Sequence, residues 1–213
     1  MNRQKTLQMV YYALFIGIIF ILGLTPLGYI TIFLVGITTV HIPVIIGSYS
    51  FGVKGGAILG FFFGLTSLIR CFMTPDATAA IILGTNTGFS AYNLFLIVAV
   101  IFVPRILVGV FAALVYKWLS KHDKTRVFAM GASAFVGSIT NSVLFLGGLI
   151  LFAFGQTAAN FQLVNATYSV LVGTVISATA VNSIAEAIAA VILCPAIGKA
   201  ILSYQAHQTK RLG

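Results

Sequence analysis

Residues 41–70 read HIPVIIGSYSFGVKGGAILGFFFGLTSLIR, and Lys54 is the single charge in that run before Arg70 closes it. A surface helix of a soluble protein needs a polar face, and neither side of Lys54 offers one. Gly52, Gly56, Gly60 and Gly64 recur at four-residue spacing, the pattern by which membrane helices let another backbone approach. The stripe reads as packing inside a bundle, with a partner interface as the alternative. Two apolar runs meeting at one lysine therefore suggest a chain that turns at Lys54 and crosses a membrane on either side of it.

The rest of the chain agrees. Its 213 residues are 60% hydrophobic and 7% charged, with a mean hydropathy of +1.08, which excludes a soluble domain. Residues 1–213 read as one transmembrane domain. The formal net charge of +9 does not indicate nucleic acid, because the basic residues are scattered at span ends. They read as orientation signals and contacts with anionic lipid headgroups. After Arg3 and Lys5 the apolar stretch runs to Leu24 without a small-x-small cleavage site, so the first span is expected to stay in the mature protein. Cys71 and Cys194 fall at opposite ends of the bundle, too far apart for a disulfide.

A crossing helix needs about 20 mainly apolar residues. The candidates are Leu7–Leu24, Ile30–Phe51, Val53–Ile69, Asn93–Tyr116, Val127–Phe154 and Tyr168–Leu193. Gly36, Pro43 and Gly47 interrupt the second, and the alternative there is a short helix preceded by a loop that dips into the protein. Charge placement favours six. Arg3 and Lys5, then Lys54, then Lys117, Lys121, Lys124 and Arg126, and finally Lys199, Lys210 and Arg211 mark every second junction. Junctions 25–29, 71–92 and 155–167 hold no Lys or Arg, and Asp76 is their single acid. The positive-inside rule then gives an all-α bundle of six transmembrane helices with both termini cytoplasmic. Residues 71–92, CFMTPDATAAIILGTNTGFSAY, form a long extracellular loop between the third and fourth helices. Its apolar patch Ala79–Leu83 reads as a lid folded over a pocket, or else as a lipid-facing interfacial segment. No internal repeat relates the two halves, which weakens a self-sufficient transporter and points to function with other subunits.

Polar residues at membrane depth are costly, about 2.5–3.5 kcal/mol for a charge, and usually face a cavity. Arg105 follows Pro104, which permits a kink and frees carbonyls. Asn141 sits halfway along the fifth span. Asn182 and Glu186 lie at i, i+4 on the sixth and share a face with Thr179 and Ser183. At about 1.5 Å per residue, Arg105, Asn141 and Asn182 reach similar depths, with Glu186 about 6 Å deeper. This set fits a pocket for a small anion, with a structural Arg105–Glu186 ion pair as the competing reading. Arg70 is a second candidate, or snorkels to the headgroups. Tyr92 and Asn93 line a pocket rim or cap the fourth helix. His41 reads as packing or helix start rather than ligand contact. Trp118 lies at the cytoplasmic boundary, where indoles anchor. Catalytic motifs and metal-ligand spacings are missing, so neither an enzyme nor a cofactor is expected. Any ATP would be hydrolysed by a partner. On the first helix, Ala13 and Gly17 form a shorter small-xxx-small pair, equally suited to a partner or to internal contact.

LTPLGYI at 24–30, the run HIPVIIGSYSFGVKGGAILGFFFGLTSLI at 41–69 and the Pro104–Arg105 pair together resemble the substrate-binding S components of energy-coupling factor (ECF) vitamin transporters, the pantothenate type above all. The resemblance covers nearly the whole chain. It implies a non-enzymatic subunit that captures a water-soluble vitamin from outside. It also implies docking on a transmembrane coupling subunit driven by two cytoplasmic ATPase subunits, with Ala13-xxx-Gly17 as the contact; the family's pattern there is Ala-xxx-Ala. Pantothenate has one carboxylate, one amide and two hydroxyls, which suits Arg105, Asn141 and Asn182. Alternatives are hydroxymethylpyrimidine or pyridoxine as ligand, or a stand-alone proton-coupled carrier that uses Glu186.

Overall fold

Gly52 breaks the long apolar run. In the computed structural model, which describes residues 3–32, 35–74, 77–84, 88–155 and 167–212, helix α2 spans His41–Met73 but leaves helical geometry at Gly52 (φ 67°, ψ −163°). Only glycine takes that conformation without strain. The two legs fold back on each other: a Cβ added at Gly56 would lie 3.1 Å from Ser48 Cβ, and one at Gly47 would collide with Leu59.

The chain enters by α1 (Arg3–Leu24), a short turn at Pro26–Gly28, and an antiparallel hairpin of β1 (Tyr29–Ile32) and β2 (Val35–Thr38). This corrects the expectation of a continuous helix over Ile30–Phe51. The segment before Thr39 is rich in β-branched residues, which suit a strand, and the helix begins only at His41. Pro43 then falls in the first turn, where a missing N–H costs nothing. A short helix does run over residues 41–51, but a hairpin precedes it in place of the dipping loop of the alternative.

After α2 come α3 (Ala77–Leu83), α4 (Ala91–Leu96), a π-helical stretch Ile97–Phe102, and α5 (Val103–Leu119) in line with it. Helices α6 (Val127–Phe152) and α7 (Tyr168–Leu212) complete the bundle. Helix α7 runs beyond the expected Leu193, straight through Pro195. Among the described residues, five helical segments are long and apolar enough to cross a membrane: Lys5–Leu24, His41–Met73, Ala91–Leu119, Val127–Phe152 and Thr179–Gln205. Asp76 and most of the 155–167 junction lie outside the described residues.

Of the glycine stripe, Gly56, Gly60 and Gly64 are internal, and Gly52 is exposed at the break in α2. Gly56 meets the backbone of Gly109 on α5, Gly60 meets the Arg105 carbonyl, and a Cβ on Gly64 would come within 2.9 Å of Phe102. The second leg of α2 therefore lies directly on α5, close enough to fix the height of Arg105. A core of Phe15, Ile19, Ile45, Leu59, Val108 and Met130, with their neighbours, joins α1, α2, α5 and α6. In a second cluster, Ile81, Ile82 and Leu83 of α3 pack with Leu96, Ile97, Val100 and Leu149.

The candidate binding cavity

Pro104 lacks an N–H, so the carbonyl four residues earlier, Val100, loses its helical partner. The local ladder has already widened there, with the Val103 N–H reaching Val98 O. Arg105 takes up the freed group: its Nη1 donates to Val100 O at 3.0 Å. The side chain is thus folded back inside the bundle and is only 9% exposed. Its guanidinium carbon stands 4.4 Å from the Phe145 ring centroid and 5.6 Å from that of Phe63, within the range of cation–π attraction. The sequence pair Pro-Arg therefore builds a held cation.

Arg105 opens onto a cavity of about 420 Å³, inside the roughly 300–1,000 Å³ range of small-molecule sites. Three helix faces converge on it. Helix α2 supplies Phe63, Ser67, Arg70 and Cys71; α6 supplies Asn141, Ser142, Phe145 and Leu146; α7 supplies Thr179, Asn182, Ser183 and Glu186. Each set repeats at three- and four-residue intervals, as residues on one helix face must. Ala79 and Ile82 of α3 and Thr38 at the end of β2 complete the wall.

Five residues expected from sequence, Arg70, Arg105, Asn141, Asn182 and Glu186, thus meet in one cavity. Asn141 is 8% exposed, and its Oδ1 has no hydrogen-bond partner among the described residues; the same holds for Ser67 Oγ. Buried polar atoms are normally satisfied, so both oxygens mark places for a donor from a bound molecule or water. Glu186 is 7% exposed and its Oε1 accepts the Thr38 backbone N–H at 2.8 Å.

Tyr92 and Asn93 are not among the lining residues. Tyr92 is largely exposed. Asn93 Oδ1 accepts from the Ser90 N–H and Oγ, both at 2.9 Å, while its Nδ2 donates to Ile82 O at 3.2 Å. Asn93 therefore caps α4 and ties α3 to it, which is the capping alternative read from sequence. His41 is wholly buried at the start of α2, away from the cavity. Phe63, Ser67 and Phe145 were not anticipated, although Phe145 lies one turn from Asn141 and helical spacing could have flagged it. Nothing in the sequence pointed to Thr38.

On α1, Phe15 and Ile19 turn inward while Ala13 and Gly17 are exposed. A Cβ on Gly17 would meet nothing within 4 Å, so Gly17 makes no internal close contact.

Residues 7–198 match the family described as ECF transporter, substrate-specific component. The chain belongs to this family. Two relatives extend nearly end to end. The Pantothenic acid transporter PanT of Lactococcus lactis subsp. cremoris (strain MG1363) is 34% identical over 209 residues, covering 94% of this chain and 96% of the relative. The Pantothenate transporter PanT of Leuconostoc mesenteroides subsp. mesenteroides (strain ATCC 8293) is 30% identical over 209 residues, covering 95% of each. This S component is accordingly a multi-pass bacterial membrane protein that serves transport and is not an enzyme.

Proposed function

We propose that this S component captures pantothenate from the outer side of the membrane and delivers it through an ECF module, made of a transmembrane coupling subunit and two cytoplasmic ATPase subunits. The observation that carries the reading is the Arg105 guanidinium held at the wall of a cavity that Asn141 also lines, with the Asn141 Oδ1 lacking a hydrogen-bond partner among the described residues. A carboxylate answers the first and an amide N–H or hydroxyl answers the second. Pantothenate carries all three groups, and both full-length relatives bear its name. Arg70, nearer the end of α2, adds positive charge for an incoming acid, and Asn182 adds a hydrogen-bonding group. Ala79 and Ile82 support a role for the 71–92 connection as a lid.

The membrane reading that accompanies this is six crossings with both termini inside. The reversal at Gly52, next to Lys54, supports it, because it makes α2 a helical hairpin with its basic turn on the side of the other basic junctions. The exposed Ala13 and Gly17 are the proposed contact with the coupling subunit.

Calorimetry of the detergent-solubilised chain against a vitamin panel tests the ligand. Saturable binding of pantothenate, with hydroxymethylpyrimidine and pyridoxine silent, is the expected result; the reverse ranking would overturn the assignment.

A further inference from the structure

Four of the chain's twelve Lys and Arg fall within residues 117–126, which end α5 and lead into α6, and Asp123 is the single acid beside them. Lys117, Lys121, Lys124 and Arg126 are all exposed. The Asp123 carboxylate is occupied in capping α6: its Oδ1 accepts from the Thr125 N–H and Oγ1, and its Oδ2 from the Ala129 N–H. The backbone of the turn is fixed as well. The His122 and Asp123 N–H groups both donate to Leu119 O, at 3.0 and 3.1 Å. Arg126 stands at φ 60°, the single non-glycine residue with positive φ among those described. A side chain in that left-handed region is strained and persists only where its surroundings hold it. The turn therefore presents its cations from a preformed backbone.

Exposed apolar side chains run up to these cations on both helices. Trp118, the chain's one tryptophan, is 67% exposed and Phe128 is 69% exposed. Leu114 and Phe111, four and seven residues before Trp118, are exposed too, and so is Phe135, seven after Phe128. Those intervals place each set on one helix face, so an apolar stripe on each helix ends in an aromatic ring at the turn. Lys117 lies twelve residues beyond Arg105, about 18 Å along α5 at 1.5 Å per residue. None of these side chains lines the cavity.

We propose that the α5–α6 turn binds the headgroup of an anionic phospholipid, with Lys121, Lys124 and Arg126 on its phosphate and Trp118 and Phe128 at the level of its glycerol backbone. The acyl chains lie along the stripes of Leu114, Phe111 and Phe135. Guanidinium and ammonium groups donate to phosphate oxygens, and indole rings settle where headgroups meet acyl chains. A soluble polyanion or an acidic protein surface would answer the cations alone. A lipid answers the cations and the stripes together. The proposal is independent of the pantothenate reading and uses only the membrane class of the chain.

Native mass spectrometry of the detergent-solubilised chain, titrated with phosphatidylglycerol or phosphatidylcholine, tests it. Wild type should retain phosphatidylglycerol in preference to phosphatidylcholine. Each base near an anionic lipid surface strengthens binding about fivefold, so Lys121→Gln, Lys124→Gln and Arg126→Gln together should weaken that retention about tenfold or more. Lys5→Gln, Lys54→Gln and Lys199→Gln remove as much charge from other exposed positions and should leave it near wild type. Trp118→Ala should weaken it with the charge unchanged. A native melting temperature shows that the first variant is folded; otherwise the Lys121→Gln, Lys124→Gln pair, which leaves the left-handed position untouched, should show the same loss to a smaller degree. Equal losses in the two triple variants, or equal retention of the two lipids, overturns the site. Full competition by glycerophosphate would show a soluble-phosphate site instead. Native lipid retention with loss of ATP-driven uptake in the first variant would show an acidic protein partner. Either result also overturns the proposal.

Discussion

Arg105 owes its position to the residue before it. Pro104 frees the Val100 carbonyl and the guanidinium takes it, so helix chemistry and cation placement come from two adjacent letters. Arg105→Ala should weaken pantothenate binding by about 2 kcal/mol or more, the scale of stranding a buried charge partner; calorimetry that shows unchanged affinity would remove Arg105 from the site. Asn141 gives a sharper test. Asn141→Ala should cost about 1 kcal/mol through loss of one acceptor. Asn141→Asp should cost more, because it keeps the acceptor but adds a negative charge facing an acidic ligand. The opposite order would mean that Asn141 does not face the acid end. Outside the membrane segments, Asp123 caps α6. Its Oδ2 accepts the Ala129 N–H at 2.9 Å, and its Oδ1 accepts from the Thr125 N–H and Oγ1. Chiefly the Ala129 bond holds its carboxyl below the ordinary value of 3.8. A depressed native pKa stabilises the fold above the ordinary value and ceases to do so as pH falls through the native one. Asp123→Asn should therefore melt below wild type at neutral pH, and the gap should close in acid; a gap independent of pH would refute the cap's ionic character.

At the scale of elements, close backbone approach decides what each small residue does. Gly60 on α2 sits against the Arg105 carbonyl, so Gly60→Ala must push α2 off α5. A loss of about 1–3 kcal/mol is expected from such overpacking, read as a lower melting temperature, together with weaker binding because Arg105 moves with its helix. Gly17 is a different case, since a side chain there meets nothing in the chain. Gly17→Leu and Ala13→Leu should leave pantothenate binding intact while abolishing ATP-driven uptake in vesicles that contain the whole module. Loss of binding as well would show that the pair supports the fold rather than a partner.

For the whole molecule, four long helices, one strand end and a short helix line the cavity, and no ATP-binding loop is encoded anywhere in the sequence. The purified chain alone in vesicles should bind pantothenate and not accumulate it. Accumulation driven by a pH gradient without the module would instead make it a self-sufficient carrier. The amino-acid sequence by itself determined the membrane class, the reach of most apolar spans and the similar depths of Arg105, Asn141 and Asn182. Hydrophobic length and helical spacing are local properties, and a charge in an apolar run stands out without coordinates. Only the tertiary structure decided that residues 29–32 pair with 35–38 as strands, that the Arg105 guanidinium lies over the Phe145 ring, that Thr38 meets Glu186, and that Asn93 caps a helix rather than lining the site. Each of those depends on which segments lie side by side after folding, and contacts between distant parts of a chain leave no period in its sequence.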